Sequence, residues 1–265
     1  MMRVYLEGVG VFAPGLIGWE QAEAVLAGRA SYAPGDLPRL NPALLPADVR
    51  RRTTGHIRLA VEVAAEAVRH AGADGAVLFS VFASSDSDGV LTHSICEEVA
   101  KEQPEVSPTH FHNSVNNAPA GYWCMAVNSR QPSTSVNGYD ASFAVGLLEA
   151  VAQALSERHP VLLVVHDTPM PEPLYDARPL AAAFGLALVL RPERSAQTLA
   201  AVELAPVDGA AETRMNDVGL EALRLGNPAA RGLPLLAALA RGARATVVVP
   251  YIGSLALQLT TEPGV

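Results

Sequence analysis

The sequence has 265 residues, 49% of them hydrophobic, with 27 acidic side chains against 19 basic ones and a formal charge of −8. That is ample for a substantial core, and one domain over 1–265 is expected. The acidic balance argues against nonspecific nucleic-acid binding, which needs Lys and Arg against phosphates, and against anchoring on anionic lipid. It leaves room for a local basic patch facing an acidic partner, to which Arg50–Arg52 would contribute.

Met2–Phe12 alternates with β-branched and aromatic residues and reads as a strand, with Gly8 and Gly10 marking a bulge or a close backbone approach. Trp19–Ala27 reads as a short helix, and the Pro- and Gly-rich 31–49 as an irregular excursion. The spacing of Ile57, Ala60, Val61, Ala64 and Val68 predicts a helix over Arg51–Ala71, stopped by Gly72. Ala76–Ala83 is a buried-strand run, followed by a polar turn at Ser84–Gly89 and a helix over Val90–Lys101. Pro108–Asn117 reads as a loop and Ala118–Asn128 as a helix with proline near its start.

Ser133–Asn137 reads as a short strand ending in a tight turn at Gly138–Asp140. The helix that follows, Ala141–Glu157, is apolar on nearly every face, which predicts burial between two sheets, with Asp140 as its N-cap. Pro160–Val165 is a further buried strand, followed by His166–Asp167 and a proline-rich loop to Pro179. Ala181–Leu190 and Thr198–Leu204 are expected as one hairpin, and Ala245–Tyr251 with Ser254–Thr261, around Gly253, as another. Helices are expected around Val218–Leu225 and over Leu233–Arg241. Strands alternating with helices point to an α/β layered fold.

The two cysteines, Cys96 and Cys124, lie far apart, which suggests neither a zinc site nor a disulfide framework and fits a reducing cytoplasm. The N-terminus lacks the pattern of a signal peptide, and no apolar run is long enough to span a bilayer. His110 and His112 would share a face on a strand, but no carboxylate stands at a readable spacing, so no metal is expected. No phosphate-loop glycines or lysine accompany Ser84–Asp88, so no nucleotide cofactor is expected either.

Several segments together resemble the N-terminal half of β-ketoacyl synthases. RRRTTGHIRLAVEVAAEAVRHAG resembles that family's early helix, and LFSVFASSDSDG its strand and small-residue loop. SPTHFHNSVNNAPAGYW, with Asn117, Ala120 and Gly121, resembles the segment that precedes the nucleophile. PSTSVNGYDASFAVGLLEAVAQAL resembles the strand, nucleophile elbow and buried helix. More narrowly, HNSVNNAPAGYW, DASFAVGLLEA and LLVVHDTPMPEPL resemble the short synthase-like, chain-length-factor-like proteins of aryl-polyene and xanthomonadin-type pathways.

The resemblance implies a thiolase-like layered fold, the N-terminal half of a ketosynthase with a truncated C-terminal part. It also implies a heterodimer with an active β-ketoacyl synthase, an acyl carrier protein as a further partner, and a place in polyketide or fatty-acid-type biosynthesis. This sequence departs from the family at the elbow, where Tyr139, Asp140, Ala141 and Ser142 stand and no cysteine does. The nucleophile position falls at Ala141, give or take one or two residues. The family's two C-terminal histidine motifs are not found after Arg191. Condensation needs a thiolate to carry the acyl group and histidines to stabilise the enolate, so a catalytically silent subunit is expected.

The resemblance further implies that Phe111, His112, Asn117, Tyr122 and Trp123 line a subunit contact or acyl path, and aromatic residues suit an interface core. Two alternatives remain open at this stage. One is an independent acyl-thioester hydrolase or acyltransferase using Ser142, or His166 with Asp167; the other is a carrier-protein docking module.

Overall fold

The computed structural model describes residues 1–264. In chain order it comprises β1 (Met2–Ala13), β2 (Leu16–Ile17), α1 (Trp19–Leu26), α2 (Ala47–Arg50), α3 (Gly55–His70), β3 (Phe79–Ser84), α4 (Gly89–Val99), α5 (Pro108–Asn113), α6 (Ala118–Val127) and β4 (Ser133–Asn137). Then come α7 (Ser142–Ser156), β5 (Val161–Asp167), α8 (Leu174–Ala177), β6 (Phe184–Arg191), β7 (Ala200–Asp208), α9 (Val218–Gly226), α10 (Leu233–Arg241), β8 (Ala245–Ile252) and β9 (Leu255–Pro263). Short 3₁₀ turns precede β3, α7 and α10.

One mixed sheet runs in the order β4-β3-β5-β6-β1-β7-β9-β8, with β2 paired to β1. β4 and β5 flank β3 in parallel, and the remaining neighbours are antiparallel. The central strands β5 and β6 are buried on both faces, and alternate residues feed two cores. Along β5, Val161, Leu163 and Val165 join the core around α7, α10 and α1. Leu162 and Val164 join the core around α3 and α6.

β1 sits at the centre and shows how the sequence sets the register. Val4 and Leu6 face the α7 side, and so do Val9, Val11 and Ala13, although the parity of their numbers differs. The bulge between Leu6 and Gly8 inserts the extra residue that keeps them on one face. Gly8 and Gly10 let α3 cross at backbone distance. A Cβ added at either would lie 2.1 Å from the Ala67 carbonyl oxygen or 2.2 Å from that of Val63.

Four expectations change. Helix α3 begins at Gly55, because Thr54 accepts a hydrogen bond from the Ile57 N–H and caps it; Arg50–Arg52 turn separately at the end of α2. Residues 108–113 are helical, started by a proline at the first position, where no N–H is needed. The strands expected at 181–190 and 198–204 form no hairpin, since β6 and β7 pair with opposite edges of β1. Nor does α7 lie between two sheets: it packs on β3, β5 and β1, and its other side is covered by the turn at Pro228–Gly232 and by β8, from the far end of the same sheet. The segments Ser133–Asn137 and Leu233–Arg241 form the strand and helix expected of them.

Candidate functional site at the strand ends

The carboxyl ends of β3, β4 and β5 converge on the turn from β4 into α7. Edge strand β4 delivers the chain to Gly138, and Tyr139 then takes φ +52°, in the left-handed region that a bulky residue rarely enters. Tyr139, Asp140 and Ala141 form one 3₁₀ turn before α7. Ser142 is fully buried at the helix start; its hydroxyl accepts from the Gly138 N–H and donates to the Tyr139 carbonyl. The corner is thus pinned from inside by one hydroxyl. Asp140 is no N-cap: that position is Ala141, with no side-chain cap.

Asp140 instead turns outward to Arg178, in the loop after β5. The Arg178 guanidinium bonds Asp140 Oδ1 at 2.7 Å and Asp86 Oδ2 at 2.7 Å, and its carbon lies 3.7 Å from the centre of the Tyr139 ring. One arginine therefore ties the β5–β6 loop, the β3–α4 loop and the corner together. Its remaining terminal nitrogen is buried without a partner.

Beneath this clamp lies a buried polar cluster. Asp167 Oδ1 accepts from the Ser85 N–H (2.7 Å), the Ser84 hydroxyl (2.9 Å) and the Ser85 hydroxyl (3.0 Å). Burial raises its carboxyl to about 6, against the lowering effect of those three bonds. His166 is also buried, 4.3 Å from the ring of His56 on the first turn of α3. Burial lowers His56 to about 4, and burial together with His56 lowers His166. Asp88 caps α4 through the Leu91 N–H, while its second oxygen, like Asp167 Oδ2 and His166 Nδ1, is buried and unpartnered.

This geometry supplies no nucleophile–base pair. His166 and Asp167 are neighbours on a strand and point to opposite faces: His166 toward α3 and Phe82, Asp167 toward the Ser84–Ser85 loop. Ser142 is sealed, and its hydroxyl is used in the turn. Cys96 is exposed on α4, and burial raises the thiol of Cys124 in α6, so neither reaches the corner as a thiolate. His110 and His112 lie on α5, where residues two apart do not share a face. No group of three metal-ligating side chains occurs among the described residues.

Of the expected contact residues, His112 and Tyr122 come together edge-on at 6.3 Å and line a cavity of about 360 Å³ with Val49, Arg52, Pro108 and Met125. The Tyr122 hydroxyl donates to Asn113. Phe111 is 68% exposed, and Asn117 is exposed before α6 without capping it. Trp123 departs from expectation: it is buried in the α3 core against Gly75, so it serves packing and not contact. His56, Asp88 and Arg178 were not anticipated. The sequence signalled this region through the polar run at 84–88, through His166–Asp167 at a strand end and through Tyr139–Ser142, but not through these three residues.

Residues 19–248 match the sequence pattern of the family described as "Beta-ketoacyl synthase, N-terminal domain". A comparison with curated proteins gives no match. Among solved structures, the chain is similar to one described as a ketosynthase (ApeO) in complex with its chain length factor (ApeC) from Xenorhabdus doucetiae. The TM-score is 0.74 at 21% identity, covering 98% of this chain and 100% of that one. It is similar to the ishigamide ketosynthase/chain length factor at a TM-score of 0.73 and 15% identity, over 99% of each chain. A third similarity is to a type II polyketide acyl-carrier protein in complex with its ketosynthase, at a TM-score of 0.73 and 11% identity, over 100% of this chain and 99% of that one. At these identities the likeness is one of fold. No helix among the described residues is long and apolar enough to cross a membrane.

Proposed function

The chain belongs to the β-ketoacyl synthase N-terminal-domain family, and on that footing we propose that it is a non-condensing, chain-length-factor-like subunit that pairs with an active β-ketoacyl synthase and shapes its acyl tunnel. The observation that carries this reading is the corner. The strained strand-to-helix turn is present, but the residue at its apex is Tyr139, held under Arg178, and no thiol lies within reach. Without a thiolate there is no acyl-enzyme, and a synthase scaffold without one keeps only its shape and its surfaces to act with.

The surfaces support pairing. β4 ends the sheet and pairs on one side only, with β3. Unpaired strand edges are templates for another chain. Val90 and Val99 of α4, Phe111 of α5, Val115 before α6 and Met125 of α6 are exposed apolar side chains. The cavity at His112 and Tyr122 opens beside them on α6, which packs on β4, and this would be the tunnel-facing wall. Two similar solved structures are described as a ketosynthase with its chain length factor, which supports a pairing role in general. An acyl carrier protein would deliver the chains, in the cytoplasm and within an aryl-polyene-type or related pathway.

The test is co-expression with the synthase encoded beside it. Co-elution of the pair, lost in Val136→Pro at the β4 edge, is expected. Products should lengthen or shorten when His112 and Tyr122 are changed in volume. A chain that elutes alone, with synthase products unaltered by its presence, would remove the proposal.

A further inference from the structure

The chain from Thr168 to Pro179, which carries α8, crosses the strand-end cluster and belongs to neither core. Asp167 before it and Leu180 after it are buried, but no residue between them is. None of its side chains joins a hydrophobic cluster, and α8 packs substantially on no other element. A segment with so few buried apolar contacts opens at low free energy.

What holds it is local. Arg178 binds Asp86 and Asp140 near one end, and Thr168 Oγ1 lies 3.4 Å from His56 Nδ1 at the other. Between them Met170 rests on Gly89, the first residue of α4, where a Cβ would come 1.9 Å from its Sδ. Only glycine leaves room for that seat.

The groups at this end of the sheet gain from solvent. Of the eight buried polar side-chain atoms without a partner among the described residues, four lie here: Asp88 Oδ2, His166 Nδ1, Asp167 Oδ2 and Arg178 Nη2. Such atoms are destabilising until water or another group meets them. The rings of His56 and His166 stand 4.3 Å apart. Around them, Asp88 from the β3–α4 loop is the nearby carboxylate, Phe82 closes the β3 side, and Thr168 closes the α8 side. Asp167 turns to the other face of β5, toward Ser84, Ser85 and Asp86. A proton on either ring would set a cation against the other ring, away from water.

We propose that residues 168–179 form a lid over the strand ends, closed in this structure and opened by protonation of the His56–His166 pair. Burial holds His56 at about 4 while the lid is closed, and contact with water returns it toward 6.5, so acid favours the open form. Asp167, at about 6 when closed and about 3.9 in water, works in the opposite direction. Between pH 7 and pH 5 the two together raise the open fraction by about twofold, and His166 adds to the rise in the same sense as His56.

The experiment is amide hydrogen exchange of the full chain at pH 7 and pH 5, read by mass spectrometry and corrected for the intrinsic effect of pH. The amides of Tyr175 and Arg178, bonded at 2.9 and 3.0 Å within the single turn of α8, lose their partners once that turn leaves the body. The Ser85 amide, 2.7 Å from Asp167 Oδ1, reports from beneath. These amides should open at least about a hundredfold more often than those of α7, and dilute urea should not speed them, since little surface is exposed. Their opening should rise about twofold or more at pH 5. Asp167→Asn should enlarge the ratio between the two pH values about tenfold, and His56→Gln should reduce it about twentyfold. Gly89→Ala unseats Met170 without touching a titratable group; it should raise exchange at both pH values and leave the ratio unchanged. Lid amides as protected as those of α7, no rise at pH 5, or a ratio unmoved by His56→Gln overturns the proposal. The first two of these are read on the unaltered chain and stand even where a variant does not fold. No synthase is present, so the result is independent of the pairing function.

Discussion

Replacing Arg178 by alanine tests whether one side chain holds the corner closed. The guanidinium is 15% exposed, and its partner Asp86 is 23% exposed, so that pair is a partly buried, charge-assisted bond. Such a bond contributes about 1.5–3 kcal/mol. The pair with Asp140, whose side chain is 62% exposed, adds no more than about 1 kcal/mol. The face of Tyr139 adds about 0.5–1 kcal/mol. The sum is about 2–5 kcal/mol, no more than the low end of the stability of an ordinary domain, so the variant still folds. Urea unfolding followed by circular dichroism should show the midpoint falling by about 1 M or more, at an m-value of about 2–3 kcal/mol/M. Arg178→Lys keeps the charge without the fork and should recover less than half of the loss. Limited proteolysis should cut the 169–180 loop faster in Arg178→Ala. A loss below about 0.5 kcal/mol, within the range of an ordinary surface change, with unchanged proteolysis, would refute the clamp.

Gly10→Ala places a methyl group against the Val63 carbonyl oxygen and should cost about 2 kcal/mol or more in urea unfolding, because α3 must move. Ser142→Ala leaves the Gly138 N–H without its acceptor and should cost about 1–3 kcal/mol, while synthase pairing in a co-elution assay persists. Trp123→Ala should cost about 3–5 kcal/mol as a core deletion, where Phe111→Ala changes stability by less than about 0.5 kcal/mol and weakens pairing. Stability should also fall on acidification. His56 and His166 fold in the neutral form, so their contribution is complete above the unfolded value near 6.5 and is lost as pH falls toward the folded value. Asp167, raised to about 6, has the opposite slope and stabilises more as pH falls through that value. From pH 7 to pH 5, His56 costs about 2 kcal/mol and Asp167 returns about 1 kcal/mol, with His166 acting in the same sense as His56. Unfolding curves at the two pH values should show this net loss, and His56→Gln should flatten it.

The elements written in local pattern were legible. Period-two runs and turn residues located β1, β4, β8 and β9, and the pair Gly8 and Gly10 signalled a bulge or a close approach, where the structure has both, the approach being by α3. What failed was non-local. β6 and β7 look like a hairpin because only a short loop separates them, and nothing in either strand says that β1 will insert between them. The polar run PTHFHN reads as loop because its apolar residues are too few to show a period, yet a proline start and packing beside α4 make it helical. The candidate site was legible only in part for the same reason. Tyr139–Ser142 lie on one contiguous stretch and could be read. His166 with Asp167 could be read too, whereas His56, Asp88 and Arg178 come from separate segments that only the fold brings near them.

The corner explains how a synthase scaffold can part with its cysteine and keep its shape. Left-handed backbone at a tyrosine costs about 1–2 kcal/mol, and in an active enzyme that strain would present a nucleophile. Here the strain follows from packing alone. β4 must stay in register with β3, where Ser84 pairs with Asn137, and α7 must lie close over the same strand. A Cβ on Gly146 would come within 2.7 Å of the Ala83 Cβ, so the glycine lets the helix sit unusually close on the sheet. A strand end and a helix start fixed that closely leave only Gly138–Ala141 to reverse the chain, and the turn becomes abrupt whatever side chain stands at its apex. The buried Ser142 hydroxyl and the outer Arg178 clamp then hold it from both sides. The side chain at the apex is therefore free to change chemistry while β4 and α7 stay in place around it.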